Sequence, residues 1–164
     1  LFKTICGSRL YGLAHKDSDW DYYTVVDKVN NRKAKYATHA IVDGVDSVVV
    51  DFGTWLNLCR KGTPQALEAM FSTKAEVDHI EDFRRAFRAG NEAVGTYGHT
   101  IKAMKHDDFK HKRHMIRLAL NLRDLRTYGR FNPALAKDEI ELCNELAKLP
   151  MEAVYNDALA IGMG

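Results

Sequence analysis

The hydrophobic pattern of this chain changes once, close to Phe52. Before that point, short aromatic and β-branched runs alternate with polar turns, which is typical of β-strands. After it, apolar residues recur at three- or four-residue spacing, which indicates helices. The sequence therefore predicts an α+β fold in which a small mixed β-sheet is followed by a helical C-terminal half.

Four strands are predicted in the first third of the chain. They are Leu1–Cys6, Trp20–Asp27, Lys35–Val42 and Val45–Phe52. The last two flank Asp43-Gly44 and predict a hairpin, because glycine tolerates the positive φ of a tight turn. A short helix is expected between the first two strands, from Gly7-Ser8 to about His15.

The remaining elements are predicted to be helices, with Gly62 and Gly129 as stops. Thr63 is the predicted N-cap, since Pro64 at the first helical position is pre-organised for a helix. The predicted helices are Thr54–Lys61, Pro64–Phe71, a mostly helical stretch from Glu81 onward, Asp138–Leu149 and Met151–Ile161. We divide the chain into a sheet-containing core, residues 1–72, and a helical domain, residues 73–164.

Composition narrows the class of protein only modestly. The chain has 164 residues and a formal net charge of +2, although the segment Lys102–Arg130 is crowded with Lys, Arg and His. Three widely spaced cysteines argue against a disulfide framework and against a Cys-rich zinc site, and favour buried free thiols in a reducing compartment. With no signal peptide and no apolar run of membrane-spanning length, we expect a cytoplasmic protein without a membrane partner.

Asp19 and Asp21 lie one residue apart at the start of a predicted strand. Residues two apart in a strand point to the same face, with Cα atoms roughly 7 Å apart. Two carboxylates about 4 Å apart repel by about 4 kcal/mol at an effective dielectric of about 20. A raised pKa, a basic neighbour or a divalent cation has to offset that repulsion, and Mg²⁺ prefers oxygen ligands of this kind.

Asp51 is the candidate third acid, because it follows an apolar run in Val45–Phe52. If this strand lies beside the strand of Asp21, we expect the three carboxylates to meet at one sheet edge. Three carboxylates can hold two metal ions in the arrangement used for in-line phosphoryl displacement.

Gly7, Ser8 and Arg9 supply the complementary chemistry. Gly7 lets the backbone approach a phosphate, Ser8 offers a hydroxyl, and the helix that follows presents free N–H groups. Each motif also has a plain structural interpretation: Asp-x-Asp is common in polar turns, Gly-Ser often caps a helix, and Asp51 alone is a solvated acid at a strand end. The combination of all of them is rarer than any one.

With these motifs in this order, the sequence resembles the DNA polymerase β-like nucleotidyltransferase superfamily. The stretch GSRLYGLAHKDSDWD is similar to one branch of predicted nucleotidyltransferases sometimes assigned to RNA repair. The resemblance extends to WLNLCRKGTPQALEAMF and to KHKRHMIRLALNLRDLRTYGRFNP. The family usually begins with a helix before the first strand, so we expect the natural protein to extend beyond the given ends.

The resemblance implies transfer of a nucleoside monophosphate from a nucleoside triphosphate, such as ATP, to an acceptor hydroxyl. Asp19 and Asp21 would bind Mg²⁺, or Mn²⁺ in its place, and Asp51 would complete the metal site and help deprotonate the acceptor. Gly7, Ser8 and Arg9 would hold the triphosphate. Three residues of the basic segment are further candidates for nucleotide binding: Lys112, His114 and Arg117. His114 and Arg117 share a helix face, although a solvated basic face explains them equally well.

Three other functions remain open. One is a catalytically inactive, antitoxin-like member that binds a nucleotide or a partner protein. Another is a metal-dependent phosphohydrolase, which would be expected to lack the Gly-Ser element, and the third is a nucleic-acid-binding module that uses the basic segment. An RNA end, a protein hydroxyl and a small molecule all fit as acceptor, with the basic segment favouring RNA. The sequence makes no prediction of oligomeric state.

Overall fold

The structure is a computed structural model that describes residues 1–27, 38–42 and 45–164. These residues form five strands: β1 (Phe2–Cys6), β2 (Asp21–Val26), β3 (Thr38–Val42), β4 (Val45–Asp51) and β5 (Ala75–Asp78). They also form eight helices: α1 (Ser8–Tyr11), α2 (Phe52–Lys61), α3 (Pro64–Phe71), α4 (Glu81–Ala86), α5 (Asn91–Ala103), α6 (Phe109–Tyr128), α7 (Lys137–Leu146) and α8 (Met151–Met163). The predicted α+β class is confirmed.

The strands form one mixed sheet in the order β3-β4-β2-β1-β5. β1 pairs antiparallel with β2 and with β5, while β2 pairs parallel with β4. β3 pairs antiparallel with β4 as a hairpin requires, and the predicted turn Asp43-Gly44 lies outside the described residues. β5 was not predicted.

One face of the sheet is covered by helices. Alternate side chains of the central strands are buried there: Phe2, Thr4 and Cys6 of β1, Tyr23 and Val25 of β2, and Val48 and Val50 of β4. α2 packs on β2 and β4, and α3 packs on β1. Strand alternation thus gives a two-layer core, with one sheet face apolar and covered.

α6 is the central helix of the C-terminal half. It packs against α5, α7 and α8, and its run from Met115 to Leu122 is buried throughout. Asp108 begins the helix by accepting the amide hydrogen of His111 at 2.9 Å, and Gly129 ends it in the left-handed region with φ 71°, as predicted. Because α6 packs among other helices, the orientation of its buried side chains is fixed by packing.

The predicted helix ends at Pro64 and Gly62 are confirmed. Pro64 begins α3 and Gly62 ends α2, as the sequence predicts. α1 is shorter than predicted, since Gly12 at φ 83° ends it after Tyr11. The three cysteines are free and buried. Over the described ranges, no helix combines the length and the apolar character needed to cross a membrane.

Candidate active site

The parallel pairing of β2 and β4 brings two acids together. Asp21, the first residue of β2, lies directly opposite Asp46 of β4. By alternation, Asp21 points to the face of Tyr23 and Val25, and Asp46 points to that of Val48 and Val50. Both carboxylates therefore lie on the helix-covered face, at the end of the sheet where β2 and β4 begin.

The electrostatics of Asp21 show that these acids interact. Partial burial, followed by repulsion from Asp46 and then from Asp19, raises the pKa of the Asp21 carboxyl, and His39 opposes this shift. The His39 Nδ1 atom lies 3.5 Å from Asp46 Oδ1. A carboxylate whose ionised form is disfavoured by neighbouring acids is one that a bound cation would stabilise.

The donor set fits a hard divalent cation. It consists of carboxylate oxygens at an open cavity, and Mg²⁺ is commonly held by one or two carboxylates together with substrate phosphates. Across the residues that the structure describes, no three His, Cys, Asp or Glu side chains already surround one point as metal ligands. The acids thus provide part of a coordination shell, to which a triphosphate would add oxygens.

Asp51 does not lie with Asp19 and Asp21. It pairs with Val26 at the far end of β2, so it is about 17 Å along the strand from the Asp46 position. The expectation of a shared edge required β4 to run antiparallel to β2, whereas the two strands are parallel. Asp51 instead caps α2, since its Oδ1 and Oδ2 atoms accept hydrogen bonds from the Thr54 amide and hydroxyl, each at 2.8 Å.

Gly7 and Ser8 lie beside the carboxylates, as predicted. Gly7 has φ 71°, and a Cβ atom built on it would come within 3.1 Å of Asp21 Oδ2. Any larger residue would be strained there and would press on the Asp21 carboxylate. Gly7 therefore permits a close approach of backbone and acid at the end of β1.

Two cavities meet at the carboxylates. One, which we call the α6 cavity, has a volume of about 490 Å³ and is lined by Ser8, Asp19, Asp21, Phe109, Lys110 and Arg113 among others. The second, which we call the β3 cavity, has a volume of about 710 Å³ and is lined by Asp19, Trp20, Asp21, His39, Ile41 and Asp46 among others. Asp19 and Asp21 line both cavities, so these acids lie between a cavity that also contains Asp17, Lys110 and Arg113 and a cavity with a more apolar lining.

Comparison with known proteins gives one match. The sequence matches the model of the RlaP family, described as the RNA repair pathway DNA polymerase beta family, over residues 1–154. The chain belongs to the RlaP family. No curated protein and no solved structure matches it.

The helix α6 of this RlaP family member does not present the predicted nucleotide-binding residues to the carboxylates. Arg117 is buried and donates to Glu68 Oε1 at 2.7 Å, and Arg117 Nε donates to His114 Nδ1 at 3.4 Å. The Lys112 ammonium donates to the Leu149 carbonyl at 2.9 Å. Arg117 thus joins α6 to α3, Lys112 joins α6 to the segment between α7 and α8, and the Arg117–His114 contact lies within α6.

Lys110 and Arg113 are the α6 residues that line the cavity of this RlaP chain. The Arg113 guanidinium lies over the Phe109 ring, 5.4 Å from its centroid. Its Nε atom is buried and has no hydrogen-bond partner in the described part of the chain. Both residues belong to the predicted basic segment, and their three-residue spacing, which places them on one helix face, was visible in the sequence.

Arg9 packs against Trp20. Its guanidinium carbon is 4.0 Å from the centroid of the Trp20 ring, and its Nη2 atom donates to the Ser18 carbonyl at 2.7 Å. Among the described residues that line the two cavities, Arg9 is absent. In this RlaP family member, Arg9 positions the loop that carries Asp19.

A separate arginine-lined cavity shares no described residue with the two at the carboxylates; Arg84, Arg85 and Arg130 line it. Arg84 Nη1 bonds Asp78 Oδ2 at 3.0 Å, and Arg130 Nη1 donates to the Arg85 carbonyl at 2.7 Å. These contacts stabilise the end of α4, so this cavity has a structural explanation.

Proposed function

We propose that this chain is a metal-dependent nucleotidyltransferase. It would transfer a nucleoside monophosphate from a nucleoside triphosphate to an acceptor hydroxyl and release pyrophosphate. The observation that carries the proposal is the position of Asp21 opposite Asp46, with Asp19 beside them at the boundary of two chemically different cavities. Membership in a polymerase β-type family supports the same reaction.

The acids of the site would bind the metal ion, and the basic residues of α6 would bind the triphosphate. Asp19, Asp21 and Asp46 would hold Mg²⁺, with Asp46 in the role that the sequence assigned to Asp51. Bound Mg²⁺ would supply neutralisation of the phosphate charge that develops during transfer. Charge-assisted hydrogen bonds from Lys110 and Arg113 suit the oxygens of the triphosphate.

Gly7 and Ser8 complete the triphosphate side of the site. The Ser8 side chain lines the same cavity as Lys110 and Arg113, and Gly7 keeps the backbone close to Asp21. The RlaP family is described as part of an RNA repair pathway, which supports an RNA end as the acceptor.

Calorimetric titration tests the first step of this function. ATP, GTP, CTP and UTP are titrated with and without Mg²⁺ into the wild type, an Asp19→Asn/Asp21→Asn variant, and an Asp138→Asn control at an exposed site in α7. We expect at least one nucleotide to bind only with Mg²⁺, to lose binding in the double variant and to keep it in the control.

The transfer itself is then tested with a nucleoside triphosphate that carries a radioactive label in its α-phosphate. Release of pyrophosphate and appearance of the label in RNA are measured. A folded wild type that binds none of the four nucleotides would contradict the proposal. Such a result would leave the antitoxin-like, partner-binding alternative.

A further inference from the structure

The β3 cavity carries an aromatic surface next to the acids. Trp20 lies between Asp19 and Asp21 in the sequence, and its side chain is 49% exposed. Ile41, on the edge strand β3, lines the same cavity and is 79% exposed. Large apolar side chains exposed beside a polar centre are typical of binding sites for ligands with flat, apolar groups.

Trp20 is held in place from one side. The Arg9 guanidinium stacks on its indole ring at 4.0 Å and is itself tied to the Ser18 carbonyl. Among the described residues, Trp20 lines the β3 cavity and Arg9 does not. An aromatic ring already fixed by packing loses little freedom when a second planar group stacks on it.

The geometry of in-line phosphoryl transfer indicates which cavity receives the acceptor and which receives the leaving group. The attacking and leaving oxygens lie on opposite sides of the phosphorus atom. Among the described residues, Lys110 and Arg113 line the α6 cavity and not the β3 cavity, which suits the leaving pyrophosphate. Asp46 and Trp20 line the β3 cavity, so the acceptor approaches from there.

We propose that the β3 cavity is the acceptor site and that it takes the terminal nucleotide of a single-stranded RNA, whose base stacks on Trp20. This inference rests on the proposed nucleotidyltransferase function. The terminal hydroxyl oxygen forms a bond to the α-phosphorus, the bond from that phosphorus to the bridging oxygen breaks, and pyrophosphate leaves with the electron pair. The hydroxyl proton passes to the carboxylate of Asp46, whose side chain is 53% exposed, and then to water.

Tryptophan fluorescence gives a direct test on the full chain. Trp55 is fully buried, so quenching by an added ligand reports on Trp20. A short oligoadenylate with a free terminal hydroxyl is titrated first, and Mg²⁺-ATP separately. We expect the RNA to quench the emission and Mg²⁺-ATP alone to leave it unchanged.

Variants of Trp20 measure how much base stacking contributes to RNA affinity. Trp20→Leu should weaken RNA binding roughly 5- to 150-fold, the range for loss of one stacked base, and Trp20→Phe should restore most of it. Mg²⁺-ATP affinity measured by calorimetry should stay the same in both variants. Tyr128→Leu is the control, because Tyr128 is also exposed, at 66%, but lines neither cavity among the described residues.

The outcomes separate this inference from the function on which it rests. If the wild type binds no Mg²⁺-nucleotide, the proposed function fails whatever Trp20 does. If it binds Mg²⁺-ATP, and Trp20→Leu weakens that binding rather than RNA binding, the triphosphate base occupies the cavity and the inference is overturned. A wild type that binds Mg²⁺-ATP but no RNA overturns it too, in favour of a protein or small-molecule hydroxyl.

Discussion

The guanidinium of Arg117 donates a hydrogen bond to Glu68 at 2.7 Å, and the two side chains are only 7% and 2% exposed. The Tyr11 hydroxyl donates to the other Glu68 oxygen. This buried pair therefore joins α6 to α3 and to α1, the helix that begins at Ser8. It positions the Gly-Ser element relative to α6.

Removing Arg117 is expected to destabilise the whole protein. Arg117→Met leaves the Glu68 carboxylate buried without its partner, which typically costs about 3–5 kcal/mol. Urea unfolding followed by circular dichroism measures the loss. Lys148→Met is the control, expected to cost under about 1 kcal/mol, because its ammonium pairs with Glu145 and both side chains are exposed. Equal losses in the two variants would contradict the structural role of Arg117.

Matched variants of Asp46 and Asp51 test which of these residues supplies the third carboxylate of the site. Asp46→Asn should lower the rate of nucleotidyl transfer at least about 100-fold, the usual effect of removing one group that stabilises a charged transition state. Asp51→Asn should change it less than about threefold, since asparagine caps a helix as well as aspartate does. Rates of pyrophosphate release from both folded variants decide the matter. A larger loss in Asp51→Asn would restore the assignment made from the sequence.

Lys110 and Arg113 are expected to set the affinity for the triphosphate. Replacing either by glutamine removes charge-assisted hydrogen bonds and should weaken Mg²⁺-nucleotide binding about tenfold or more. Lys112→Gln on the same helix should leave the affinity within about twofold, because its ammonium is directed to the Leu149 carbonyl. Calorimetry with all three variants compares them directly. A loss confined to Lys112→Gln would show that another face of α6 meets the nucleotide.

His114 should make stability fall in mild acid. Burial, followed by the charges of Arg117, Arg113 and Lys110, lowers the pKa of His114 to about 3. As the pH falls below about 6.5, His114 therefore binds a proton in the unfolded chain but not in the folded chain. The free energy of unfolding then decreases as the pH falls toward 3. The slope from one such group is at most about 1.4 kcal/mol per pH unit.

The effect of His114 is isolated by comparison with His114→Gln. Urea unfolding of both proteins at pH 7, 6 and 5 should show a steeper decline in the wild type, while the other histidines contribute to both profiles alike. Parallel profiles would mean that His114 is protonated in the folded protein.

Local signals in the sequence predicted most of the elements, because they depend on neighbouring residues. Pro64 and Gly62 bound their helices as expected, and β1 and β2 follow their apolar runs. β5 was missed because it has four residues, of which Glu76 and Asp78 are charged, and its pairing with β1 supplies what its own sequence lacks.

The differences in position between the expected and the observed site have another origin. Asp46 precedes an apolar run just as Asp21 does, but choosing it over Asp51 requires knowing that β4 runs parallel to β2. Likewise, the spacing in α6 shows which residues share a face, but not which face turns toward the acids. Strand direction and helix rotation are set by long-range packing, so one sequence does not reveal them.

The late return of the chain to the sheet has a consequence for how the protein can be divided. β5 covers the outer edge of β1 with residues that follow α3. A fragment that stopped at residue 72 would expose the free N–H and C=O groups of β1. Such an exposed strand edge pairs with other chains and promotes aggregation. The integrity of the sheet that carries Asp21 and Asp46 thus depends on a short acidic strand that lies beyond it in the sequence.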